Sequence, residues 1–123
     1  MDTEIGKLRR HFRTASTPAD YRAVGNDCVH LLEALSRQVY DHARHTPAGE
    51  DEPPIAKTKL RLERFVEERL PGADNAEMRK FARSAIELAQ AIKHGGSPSR
   101  TEAGIAADAV IVLANMLCRL SEA

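Results

Sequence analysis

The chain has no tryptophan, two tyrosines, three phenylalanines, two cysteines and no excess charge of either sign. Each shortage excludes something. Two thiols, Cys28 and Cys118, are too few for a disulfide framework, and both fall on apolar helix faces where cysteine behaves as a small hydrophobe. That usage suits a reduced, cytoplasmic protein. Eighteen basic residues balance eighteen acidic ones, so no whole-domain field draws the molecule to nucleic acid or to an anionic membrane. Binding of that kind must come from a local patch. With few aromatics to stack on bases, it would run through backbone phosphates and depend strongly on salt. The charged start, Met1-Asp2-Thr3-Glu4-Ile5-Gly6-Lys7, lacks a signal peptide's apolar stretch. No later window reads as long and apolar enough to span a bilayer. There is no phosphate-cradling glycine loop, Cys-x-x-Cys, His-Glu-x-x-His or nucleophile elbow, which argues against an enzyme and for no metal or cofactor.

What is present is helical periodicity. With 42% apolar and 29% charged residues, 123 residues suffice for one domain with a real core. No segment alternates as a strand does. The patterns predict five helices, about 3–15, 18–44, 54–70, 75–94 and 99–121, in an all-α antiparallel bundle. Thr17-Pro18-Ala19-Asp20 is a helix start, with a capping hydroxyl, proline at the first position and an acid in the first turn. Asp74-Asn75-Ala76-Glu77 and Ser99-Arg100-Thr101-Glu102 have capping-box spacing. Gly25 lies beside the stripe of the second helix, where close approach of another backbone accounts for a mid-helix glycine. The fourth helix carries Met78, Phe81, Ala82, Ala85, Leu88, Ala89 and Ile92 as its apolar stripe, and Gly95-Gly96 offers a left-handed stop. Thr46 to Pro54, with three acids among turn residues, is expected to be a mobile loop.

In the last helix, Ala103, Ala106, Ala107, Val110, Leu113, Ala114, Leu117 and Leu120 form one stripe, while Ile105, Val112 and Met116 widen the apolar surface beyond it. Those three are the expected interface, to a second copy or another protein. Lys7, Arg9, Arg10 and Arg13 crowd one face of the first helix; they suit phosphate, and equally a solvated surface. His42 and His45 share a face near a helix end beside the acidic loop and could make a weak metal site, but no third ligand is defined, and imidazoles exposed at a negative helix terminus also explain them. His11 and His30 have no evident partner, and no carboxylate pair is assigned as catalytic.

One constellation remains. It is Ala89-Gln90-Ala91-Ile92-Lys93-His94-Gly95-Gly96, a short loop, and the alanine-rich helix that opens at Ser99-Arg100. This resembles the HEPN superfamily of helical domains, in particular the small C-terminal domain of bacterial abortive-infection and phage-defence proteins. There a helix ends in Arg, a polar residue, three variable positions and His. The resemblance covers about Asn75 to Leu120, and Tyr21 to His45 as a long helix of similar texture. It implies a helical bundle whose active members are metal-independent ribonucleases, with two such motifs meeting in a dimer. His94 matches the family histidine, an acid–base residue, and Gln90 the polar position. Ala89 stands where the charge-stabilising arginine belongs, which predicts weak or no cleavage. Arg100, across the glycine loop, is the candidate substitute cation. A histidine in the last turn of a helix also interacts favourably with the helix dipole, without any catalytic role. The expected function is therefore a non-catalytic HEPN-like module that self-associates or binds a protein, in a bacterial defence or toxin–antitoxin-like system.

Overall fold

Thr17, Pro18 and Asp20 do locally what their order predicts. In the computed structural model, which describes residues 2–122, the Thr17 hydroxyl accepts from the Asp20 N–H at 3.1 Å. The Asp20 carboxylate accepts in return from the Ser16 and Thr17 N–H groups at 2.9 and 3.2 Å. Ser99 and Glu102 form the same reciprocal box, at 3.1 and 2.9 Å. The described residues make six α-helices and no strand: α1 (Asp2–Thr14), α2 (Pro18–Val39), α3 (His42–His45), α4 (Thr58–Arg69), α5 (Ala76–His94) and α6 (Arg100–Glu122). The fold is an all-α bundle.

Helix α2 is its axis, packed against α1, α4, α5 and α6. Its Val24, Cys28, Leu31, Leu32 and Leu35 are at most 1% exposed and join Leu8, Leu62, Phe65, Ile86, Val110, Leu113 and Leu117 in one core. Each large side chain so buried contributes about 1.5–3 kcal/mol. At Gly25, α2 comes close to the backbone of α5. A Cβ there would lie 2.5 Å from the Lys93 backbone nitrogen and 2.8 Å from the Ile92 carbonyl carbon. The close approach expected of this glycine is present.

Several expectations fail for tertiary reasons. The second helix does not run to 44: it stops at Val39, Tyr40 is extended, and Asp41 caps the short α3 through a 2.9 Å bond from the Ala43 N–H. The break turns Tyr40 and His45 inward, and both are buried. The third expected helix starts at Thr58 rather than 54, because the chain first makes a separate turn, with Lys57 N–H donating to Pro54 O at 2.9 Å and the Thr58 hydroxyl to Ile55 O at 2.8 Å. The box expected at Asp74–Glu77 does not form; the Asn75 amide instead donates to Pro71 O at 2.7 Å, and a 3-10 turn, Ala73–Asn75, precedes α5. Gly95 is not left-handed but extended, at φ −71°. Its missing side chain matters for space, since a Cβ would sit 2.9 Å from Ala91 O.

The expectation that no window could span a bilayer also falls. Helix α6 is long and apolar enough by length and composition. In the bundle, its Ala103, Ala106, Val110, Leu113, Ala114 and Leu117 are fully buried as core.

Candidate functional site

Three surfaces gather the residues singled out above. The first is the end of α5. Lys93 and His94 occupy the last turn, where cations complement the exposed carbonyls. His94 is exposed, and Gln90, one turn earlier, is half-buried. Ala89 is fully buried, so position 89 points into the core and a guanidinium carried there would not reach solvent directly. Arg100 is committed elsewhere. Its guanidinium lies 4.5 Å from the centre of the Phe12 ring and donates to Ala15 O at 3.0 Å, closing the C-terminus of α1. The guanidinium at the glycine loop is that of Arg22, from α2, which donates to Gly96 O at 2.7 Å. Nothing local to positions 89–100 pointed to Arg22; the signal was Gly25, which brings that part of α2 onto α5.

The second surface is the outer face of α1. Lys7, Arg9, Arg10 and Arg13 are all exposed, and none has an ion pair among the described residues. His11 does have a partner: its Nδ1 meets Asp27 Oδ2 of α2 at 2.5 Å. Arg9 borders a shallow groove with Phe12, Asp108, Ile111 and Val112, next to the third surface.

That third surface is apolar. Ile105 and Val112 are 54% and 53% exposed, and Met116 is half-buried beside them. Met78, Phe81 and Leu88, expected in the core, are instead 45%, 36% and 37% exposed. The core side of α5 is made of Ala82, Ala85, Ile86, Ala89 and Ile92. Small residues face inward because α2 comes so close at Gly25, and the larger ones are displaced to the neighbouring face. Leu88 and Ile105 line one groove, and Met78, Val112 and Met116 another, so each groove joins the exposed apolar residues of α5 to those of α6. Of the six exposed large hydrophobics among the described residues, only Leu60 lies off this hairpin.

A polar cluster at the α2–α4 end was not foreseen. His45, expected in water, is buried with its ring edge-on to Phe65. The Asp41 N–H donates to its Nδ1 at 2.8 Å, which leaves the proton on Nε2, 3.0 Å from Glu68 Oε1. Arg44 holds both Glu68 oxygens at 2.7 and 2.9 Å. Hydrogen bonding from His45 first, then the Arg44 contacts, hold the Glu68 carboxyl below its usual range. Because Nδ1 is taken by a backbone N–H, this histidine is a clamp between α3 and α4 rather than a free base. Among the described residues no three His, Cys, Asp or Glu side chains converge as metal ligands. No family model, curated protein or solved structure matches the chain.

Proposed function

We infer that the chain is a non-catalytic, HEPN-like helical module that self-associates through the outer face of the α5–α6 hairpin, within a bacterial defence or toxin–antitoxin-like system. The HEPN and defence parts rest on the resemblance over Asn75 to Leu120. Self-association rests on one observation, the gathering of Met78, Phe81, Leu88, Ile105 and Val112 on a single hairpin face. A second copy is the occupant that suits it. Two antiparallel hairpins related by a two-fold axis bury the same patch on both sides and complete a four-helix packing. Zero net charge removes long-range repulsion between copies. Helices of 19 and 23 residues side by side offer a footprint on the order of 600 Å², close to the roughly 800 Å² per partner of a stable interface.

Sedimentation velocity at micromolar concentration tests this. The wild type should be a dimer, and Val112→Glu a monomer with an unchanged circular dichroism spectrum, because Val112 lies outside the core. Placing a carboxylate at the centre of each apolar half should weaken association by at least about 100-fold. A wild type that stays monomeric, or a Val112→Glu protein that still dimerises, would remove the basis of the reading.

A second activity, metal-independent cleavage of RNA at His94, is favoured by one observation. Arg22 brings a guanidinium to the loop that follows the histidine, a better-placed cation than Arg100. RNA cleaved by the wild type and by His94→Ala at equal rates would exclude this site.

A further inference from the structure

The acidic segment between α3 and α4 is anchored to α4 at Pro53, and the way it is anchored is unusual. Arg61 is only 4% exposed, with its guanidinium 4.3 Å from the centre of the Tyr40 ring. Of its five N–H donors, Nη1 bonds Pro53 O at 2.7 Å, Nη2 reaches Ser36 O only at 3.5 Å, and the buried Nε has no partner. A buried cation is ordinarily paired and hydrogen-bonded. The carboxylates that face this one stand off. Glu52 lies 3.6 Å from Arg61 Nη1 and 3.8 Å from His42 Nδ1, and Glu50 lies 3.6 Å from Arg64 Nη2. A close charge-assisted bond is about 2.7–2.9 Å, the length Arg44 and Glu68 achieve nearby. Glu50 and Glu52 are also half in solvent.

Arg64 is fixed beneath them. It donates to the Tyr40 hydroxyl at 3.3 Å, and that hydroxyl is 2.7 Å from Thr46 Oγ1, which is 3.0 Å from His42 Nδ1. Two arginines and a histidine are thus linked through Tyr40, Thr46 and Glu52, with a buried Arg61 donor to spare, and faced by two carboxylates at more than hydrogen-bond distance. We propose that this is an oxyanion site for a phosphate monoester, and that residues 46–57 form a strap whose Glu50 and Glu52 occupy it as an internal ligand. A phosphate monoester carries close to the two negative charges of that pair, and its three oxygens can make the short bonds the strap does not. The strap competes at the effective concentration of a tethered ligand, on the order of millimolar, so it sets a threshold that an external phosphate must exceed.

Calorimetric titration of the full chain with inorganic phosphate tests the proposal. The wild type should bind weakly, and Glu50→Gln/Glu52→Gln at least tenfold more tightly. Adding Arg64→Met to that double variant should remove the gain. Arg64 is partly buried, at 20% side-chain exposure, but methionine keeps its aliphatic stem, and glutamine keeps the size of glutamate, so circular dichroism should be unchanged throughout; Glu52→Gln alone should give an intermediate gain. No saturable binding by the double variant, affinity equal to that of the wild type, or binding indifferent to Arg64 would each overturn the proposal. Titration with O-phosphoserine and with a nucleoside 5′-monophosphate then separates a protein-borne from a nucleotide-borne phosphate.

Discussion

Replacing Gly25 by alanine should destabilise the bundle, although alanine is the better helix former. In an isolated helix the change gains about 1 kcal/mol. Here the new Cβ would lie 2.5 Å from Lys93 N and 2.8 Å from Ile92 C and Cγ2, and ordinary contact starts at 3.4 Å. The nearest atom must therefore recede by about 0.9 Å. Two of the three atoms are backbone, so the demand falls on the crossing of α2 and α5 and not on one rotamer. A gap of that size forfeits a quarter to a half of the dispersion energy of each contact it opens, and overpacked cores typically lose about 1–3 kcal/mol. Since that figure absorbs part of the propensity gain, the net loss should be about 1–2 kcal/mol, or roughly 3–10 °C in Tm for a chain of this size. Gly6→Ala is the matched control. Its Cβ would meet only the flexible end of Arg10, at 3.3 Å, so it should be neutral or stabilise by up to about 1 kcal/mol. Urea unfolding of the three proteins, monitored by circular dichroism, measures both changes. A Gly25→Ala protein as stable as the wild type would refute the reasoning and with it the intimacy of the α2–α5 crossing.

Two further outcomes follow from titratable groups. Burial, and secondarily the Asp27 charge, push the Cys28 thiol up to about 12, so a thiol reagent on the native protein should label Cys118 alone, and Cys28 only at the rate of unfolding; rapid labelling of both thiols would contradict the core. Glu68 and Asp20 are held below their ordinary values of 4.5 and 3.8, by His45 and by the Ser16 N–H respectively. Each stabilisation is full above the ordinary value and lost as pH falls through the lowered one, so Glu68→Gln should flatten the fall in stability as pH drops below 4.5; an unchanged acid limb would sink the clamp.

What was legible in the chain was local, or left a single mark. The boxes at Thr17 and Ser99 could be read because each is complete within four residues. Gly25 could be read because a glycine inside a strong helical stripe needs a reason. The break at Tyr40 could not: nothing within 18–44 opposes a longer helix, and the gain lies in burying Tyr40 and His45 against α4. Asn75 stands at the start of α5, but its side-chain amide is turned to donate to Pro71 O and its oxygen caps no helical N–H. At the candidate site, the exposure of His94 could be expected from its place before Gly95, and that of Ile105 and Val112 from the width of the α6 stripe. The commitment of Arg100 to α1 and the arrival of Arg22 depend on partners more than 70 residues away, beyond the reach of any local pattern.

The outward turn of Met78, Phe81 and Leu88 and the membrane-like composition of α6 have one cause. Periodicity alone cannot choose between two adjacent apolar faces of α5, and the choice is made by α2, whose Gly25 admits only the alanine-rich side. The hairpin that results is apolar inside and carries exposed Met78, Phe81, Leu88, Ile105 and Val112 outside. Lipid is a poor cover for the outer side. Asp108 lies in the middle of α6 and is exposed on the bundle surface, and a carboxylate at a bilayer centre costs about 2.5–3.5 kcal/mol. Insertion of α6 alone would also strip Val110, Leu113 and Leu117, each fully buried, from the core. A second hairpin, as proposed above, would cover the same surface without either loss. It would leave Asp108 and Arg9 at the rim, where water could still reach them, and only Ile105, Val112 and their α5 neighbours would need to meet.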